Sequence, residues 1–232
     1  MAKRKATLRR RVLRSGAVVV AFAGVLIITI LVAWSVPMGD FAPVRPIPTL
    51  AARPSPPRLE RQAEPHTCGY HAASTVYKAY GLDVGERRLR ARLGVDNKSF
   101  LYDSTTTGCL HPDIYRAMDQ DGFDVAALDL DSPADSARLK SHLEAGGLAL
   151  ALIRRYDSGV MHWVVLGAIS GSEVTVLDPL EDEIQSAPFQ EYWDDRLLSV
   201  IKVQPRSGEP APLWNLHLRG AIDMISAFRR SG

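Results

Sequence analysis

The chain has 232 residues, 46% hydrophobic and 23% charged, proportions near globular averages that exclude collagen-like, disulfide-framework and wholly disordered classes. The net charge of +2 conceals an asymmetry: seven of the 28 basic residues (Lys3, Arg4, Lys5, Arg9, Arg10, Arg11 and Arg14) fall in the first sixteen positions, no acid precedes Asp40, and residues 37–232 carry a net of −5. The part able to fold in water is therefore acidic, and neither a nucleic acid nor a nucleotide is an expected partner.

Residues 1–16 form a basic flank to residues 17–36, twenty positions without a charge. As a helix that stretch reaches about 30 Å, the thickness of a bilayer's hydrocarbon core. Basic residues stay on the cytoplasmic side, so the expectation is a single-pass anchor with the rest of the chain extracytoplasmic. A cleaved signal peptide is the rival reading, with Ala33-Trp34-Ser35 as a small-residue cleavage pattern; the length favours the anchor. Residues 37–57 hold seven prolines and read as an extended linker. A domain is expected over 58–203, followed by a tail over 204–232.

Within the domain, apolar residues at helical spacing predict helices over Cys68 to Tyr80, Gly85 to Leu93, Pro112 to Gln120 and Asp135 to Glu144. The period then changes. Short segments rich in Val, Ile and Leu predict strands over Leu148 to Ile153, Met161 to Ile169, Glu173 to Leu177 and Leu197 to Val203, with Ser170-Gly171-Ser172 as a hairpin turn. Helices followed by strands predict an α+β domain, an N-terminal helical layer on a mostly antiparallel sheet. In the tail, Leu213, Trp214, Leu218, Ala221, Ile222, Ile225 and Phe228 predict an amphipathic helix that docks on the domain or lies on a membrane, with Gly220 weakening it slightly.

Three residues stand out chemically. Cys68 opens a predicted helix, where unsatisfied N–H groups and the helix dipole favour a thiolate, and Gly69 beside it leaves room for close substrate approach. His162 begins a strand otherwise built of large apolar residues, and Asp178 ends the next one. If those strands pair through the Gly171 turn, the two lie at one end of the hairpin, where a carboxylate can fix the imidazole's tautomer.

Gln62, five intervening residues, then Cys68-Gly69; a helix ending in YKAYGL; DGFDV; HWVVLG; a hairpin; LDP; and PFQEYW: in this order over residues 58–203 the chain resembles the bacteriocin-processing, double-glycine-leader cysteine peptidases, a papain-like family. The resemblance implies a papain-like fold and a peptide or protein substrate. It implies Cys68 as nucleophile, His162 as general base and acid, Asp178 as its orienting partner and Gln62 as an oxyanion-hole donor, with no cofactor and no metal.

Several features depart from the family pattern. Thr67 stands where an acid commonly precedes Cys-Gly, and Cys109 where Gly-Thr or Gly-Ser is usual. The best-known members are cytoplasmic domains of ATP-driven exporters, whereas this chain has no nucleotide-binding loop and the opposite expected topology. Leader or secreted peptides are the expected substrates; acyl transfer to an amine is a related chemistry. The alternatives are a non-catalytic peptide-binding module, a structural Cys68–Cys109 disulfide, and a zinc site drawn from His66, Cys68, His71, Cys109 and His111.

Overall fold

The computed structural model describes Gly24 and residues 50–96, 108–155 and 158–231. The chain divides into residues 1–36 and residues 37–232, and every element below belongs to the second unit. Among the described residues no helix is long and apolar enough to cross a membrane; the expected anchor over 17–36 lies outside them, Gly24 excepted.

Small residues in CGYHAASTVYKA let helix α1 (Cys68–Ala79) sink into the domain, and ten of its twelve residues are buried. It ends where Gly81, at φ 82°, takes a left-handed conformation that costs glycine least. Helices α2 (Glu86–Arg92) and α3 (His111–Gln120) follow. Strand β1 (Phe123–Ala127) leads to α4 (Pro133–Glu144), whose start is fixed by Pro133 and by Ser132 accepting the Asp135 N–H. Then come β2 (Leu148–Arg154), β3 (Met161–Ser170), β4 (Glu173–Leu177) and β5 (Gln185–Pro188). A short helix α5 (Phe189–Glu191) and a π-type turn (Tyr192–Arg196) precede β6 (Leu197–Pro205) and the terminal helix α6 (Leu213–Ser231).

The strands form one sheet in the order β1-β6-β2-β3-β4-β5, every pair antiparallel. Helices cover both faces. On one side α1, α2, α3 and α6 pack over Leu150, Leu152, Trp163, Val165 and Ile201. On the other, Leu139 and Leu143 of α4 join Phe189, Tyr192 and Trp193 over Ala151, Val164, Leu166 and Val200. A central strand buried on both faces reads as a continuous apolar run rather than an alternation, which is the pattern LALALI of β2.

The α+β class, the N-terminal helices and the antiparallel sheet agree with the expectation; the second helical layer adds to it. Two strands fall outside the expected set. β1 is only five residues long and includes Asp124, and β5 is the polar edge strand QSAP, paired on one side only. Leu50 packs on the core, and the N–H groups of Ala51 and Ser55 donate to the carbonyls of Tyr80 and Ala79. The last part of the proline-rich stretch is thus bound along the end of α1.

Gly220 has a different role from the one its helix propensity suggests. A Cβ there would lie 2.6 Å from Pro112 Cα and 2.7 Å from Pro112 N, so the glycine lets α6 lie directly on the first turn of α3. Beneath α2, Arg92 pairs with Asp121, and the Tyr77 hydroxyl donates to the same carboxylate at 2.8 Å. Arg92, Tyr77 and Asp121 are fully buried, so the ionic pair locks α2 to the end of α3.

Candidate active site

Cys68 is the first residue of α1. The residue before it, Thr67, does not cap the helix: its hydroxyl donates backward to the Glu64 carbonyl at 2.9 Å. No side chain from Thr67 competes for the first-turn N–H groups, and these with the helix dipole favour negative charge on the thiol. Gly69 is required, but not to admit a substrate. A Cβ there would lie 2.5 Å from Cys109 Cβ, 2.7 Å from its Sγ and 3.0 Å from Trp163. The Cys109 segment is seated against the first turn of α1, and the Trp163 indole N–H donates to the Cys109 carbonyl at 3.2 Å.

The β3–β4 hairpin supplies the other two groups. Ser170 pairs with Glu173 across Gly171, which sits at φ 64°, and Val165 pairs with Leu177. This register brings the start of β3 beside the end of β4. His162 Nε2 lies 2.6 Å from Asp178 Oδ1, leaving Nδ1 for Cys68, the other hydrogen-bond partner of the imidazole. Burial disfavours a charged His162, yet the hydrogen bonds to Asp178 and Cys68 and their charges outweigh it and push its pKa up to about 9. Burial likewise works against an ionised Asp178. The bond from His162, the Leu180 N–H at 2.9 Å and the charges of His162 and Arg155 prevail, holding the carboxyl below the usual range. Arg155, from the end of β2, reaches Asp178 Oδ2 at 3.4 Å, so both carboxylate oxygens are engaged.

Gln62 is tied to this corner through its main chain, its N–H donating to the Pro179 carbonyl at 2.8 Å. Its side-chain nitrogen donates to the Glu64 carbonyl at 3.2 Å and to the Pro65 carbonyl at 3.5 Å, so both amide protons are engaged. Its Oε1 is buried without a hydrogen-bond partner among the described residues. The turn between Gln62 and Cys68 is clamped from outside: Arg90 of α2 bonds Glu64 at 2.6 Å and Asp96 at 2.8 and 2.9 Å, and His66 bonds Asp96 at 2.7 Å. No sequence signal joined Glu64, Arg90, Asp96 and Arg155 to the site, because they are scattered charged residues whose meeting depends on the packing of α2 and the hairpins.

The zinc set does not assemble. Among the described residues, the group whose ligand atoms approach closely enough to share an ion is Glu64, His66 and Asp96, and Arg90 already occupies both carboxylates. His71 stands edge-on against Tyr70, while His111 packs on Trp163 at 4.9 Å and is pushed down to about 3 by burial. Cys68 and Cys109 are both free thiols, which overturns the disulfide reading. Burial, and the charge of the nearby Cys68, push the Cys109 thiol well up, making it a poor nucleophile.

The arrangement combines a thiol at a helix start, an imidazole bonded to it and a buried carboxylate fixing that imidazole. It can generate a thiolate and deliver a proton to a leaving group. Comparison with known proteins gives the following. Residues 58–204 match the peptidase C39 family, whereas no curated protein matches the chain. Three solved structures are similar to the chain, each 16% identical. A C39-like peptidase from Bacillus anthracis covers 69% of this chain and 100% of its own, with a TM-score of 0.50. A double-glycine-motif protease from an AMS/PCAT transporter, in complex with the leader peptide, covers 68% and 98% at 0.49. The peptidase domain of Streptococcus ComA, a bifunctional ABC transporter involved in quorum sensing, covers 64% and 98% at 0.47.

Proposed function

The chain belongs to the peptidase C39 family and is a cysteine peptidase, and we propose that it hydrolyses peptide bonds with Cys68 as nucleophile, His162 as general acid and base, Asp178 as the group orienting His162, and Gln62 as an oxyanion donor. The observation that carries this reading is the bond of His162 to Asp178 on one side and to Cys68 on the other. With a pKa of about 9, His162 is an imidazolium at neutral pH and is hydrogen-bonded to Cys68, whose thiolate is the attacking form. The thiolate attacks the scissile carbonyl carbon and a C–S bond forms. Negative charge moves to the carbonyl oxygen, where the Cys68 N–H receives it together with the Gln62 amide, which gives up its long 3.5 Å bond to the Pro65 carbonyl to do so. As the C–N bond breaks, His162 gives its proton to the departing amine. The neutral imidazole then takes a proton from water, the hydroxide attacks the thioester, and the acid leaves with Cys68 restored as thiolate.

Asp178 keeps the Nε2 proton in place and supports the imidazolium. Arg155 neutralises part of the carboxylate's charge, which lowers its basicity and keeps the proton on the ring. The substrate in this reading is a leader or secreted peptide met on the extracytoplasmic side, with residues 17–36 as an uncleaved anchor. The support is the uncharged run and the seven basic residues before it.

The test is digestion of peptide libraries by the full chain and by Cys68→Ala, with products read by mass spectrometry and iodoacetamide labelling as a second readout. The expected result is products only with the parent chain, and alkylation of Cys68 but not of Cys109 in the folded state. Products that persist in Cys68→Ala would overturn the nucleophile, and an unlabelled Cys68 would overturn its reactivity.

A further inference from the structure

Helix α6 lies wholly beyond the residues that match the family, which end at 204. It is amphipathic in an unusual way. Its inner face is anchored: Leu216, Gly220, Ala221, Met224 and Ala227 are buried against α3 and β6. Its outward face is also apolar at the N-terminal end. Leu213 is 40% exposed, Trp214 68%, Leu218 49% and Ile222 52%, and Trp214, Leu218 and Ile222 follow at intervals of four, one stripe along the helix. The stripe continues into Ser226 and Arg229, both exposed.

No acid of α6 shares that stripe; Asp129, Asp131 and Asp135 border only its C-terminal end, in the hollow that Ile222, Ser226 and Arg229 also line. The one acidic residue of α6, Asp223, accepts a hydrogen bond from Tyr115 of α3 and is pinned there. In a unit whose sequence carries a net of −5, a helical surface of tryptophan, leucine and isoleucine ending in arginine has the composition of an interfacial membrane helix. A second copy of the chain is a poorer fit, because four partly exposed side chains fall well short of the roughly 800 Å² per partner that a stable protein interface buries.

Resting on the anchoring proposed above, we infer that the Leu213-Trp214-Leu218-Ile222 stripe of α6 docks on the lipid surface that holds the chain, laying the domain against the bilayer. The sequence leaves a short lead for it. The chain is bound to its domain from Leu50 onward, so thirteen residues, 37–49, separate it from the expected anchor. Even fully extended they reach about 45 Å, comparable to the roughly 30 Å width of a small domain. A surface held that close has a high effective concentration, so a stripe too small to capture a free membrane suffices for a tethered one.

The test uses the full chain carrying Trp34→Phe in phosphatidylcholine vesicles with brominated acyl chains, which quench tryptophans that enter the bilayer. Trp163 and Trp193 are buried, so quenching in this background reports Trp214. Flotation with the vesicles and a several-fold stronger quenching than in Trp214→Phe is the expected result, and Leu218→Ser with Ile222→Ser, at exposed positions, should reduce it without altering the circular dichroism. Flotation without Trp214 quenching would overturn the docking and leave the anchor standing. Failure to float would remove the anchor and this inference with it. A stripe covered instead by a second copy would appear as a dimer by light scattering, also against the proposal.

Discussion

Replacing Asp178 by Asn keeps the shape and an oxygen that accepts the His162 Nε2 proton, but removes the charge. The structure puts the two atoms 2.6 Å apart in a buried setting, and an opposite charge at such range moves a pKa by about 1 to 3. The His162 value should then fall from about 9 to about 8 or lower, the Cys68 partner supplying the remaining elevation. The imidazolium fraction at pH 8.5 drops from about three quarters to about one quarter, whereas at pH 6 it barely changes. Profiles of kcat/KM against pH for both proteins are the assay. The expected outcome is an alkaline limb displaced downward by about one pH unit, so the variant's loss is about threefold greater at pH 8.5 than at pH 6. Stability should follow the same sign. A histidine raised above its unfolded value of 6.5 contributes stability that is complete below pH 6.5 and lost as pH rises through about 9. A carboxyl held low contributes above its unfolded value and loses the contribution as pH falls through its lowered one. Both windows describe one ion pair, so Asp178→Asn should cost on the order of 1 to 2 kcal/mol near neutrality, with the difference closing at both extremes. An active variant with an unmoved alkaline limb would refute the role of Asp178 in holding the His162 proton.

Asp121→Ala leaves the buried Arg92 and the Tyr77 hydroxyl without their carboxylate, and a broken buried pair costs about 3 to 5 kcal/mol. Urea unfolding should show that loss, and a cost under about 1 kcal/mol would mean that water reaches Arg92. Gly220→Ala separates two expectations by sign. Helix propensity alone predicts a gain of about 1 kcal/mol, whereas a Cβ 2.6 Å from backbone atoms of Pro112 predicts a loss of about 1 to 3 kcal/mol. A lowered denaturation midpoint is expected; a raised one would show that α6 does not rest directly on α3.

Local periodicity was enough for the main elements. The spacing in CGYHAASTVYKA, the runs LALALI and HWVVLG, and the Gly171 turn each carry their own signal, and the hairpin register that follows places His162 beside Asp178. Cys68 was legible because its meaning depends on a helix start, which sequence marks well. β5 was not, since a polar edge strand is defined by the neighbour it pairs with. Gly69 was read as room beside the thiol and Gly220 as a weak helix former, yet both are required by the close approach of distant segments, Cys109 in one case and Pro112 in the other.

The amino-acid sequence by itself determined the α+β class, the order of the main helices and strands and three of the groups proposed to do the chemistry, because each of these rests on short-range pattern. Tertiary structure alone decided that Cys68 and Cys109 stay unbridged, that Arg155 joins Asp178, and that Arg90, Glu64, Asp96 and His66 clamp the turn before Cys68. It also decided which side of α6 faces outward. These outcomes depend on distances between residues far apart in the chain, and such distances are set by how the helices settle on the sheet rather than by any local preference.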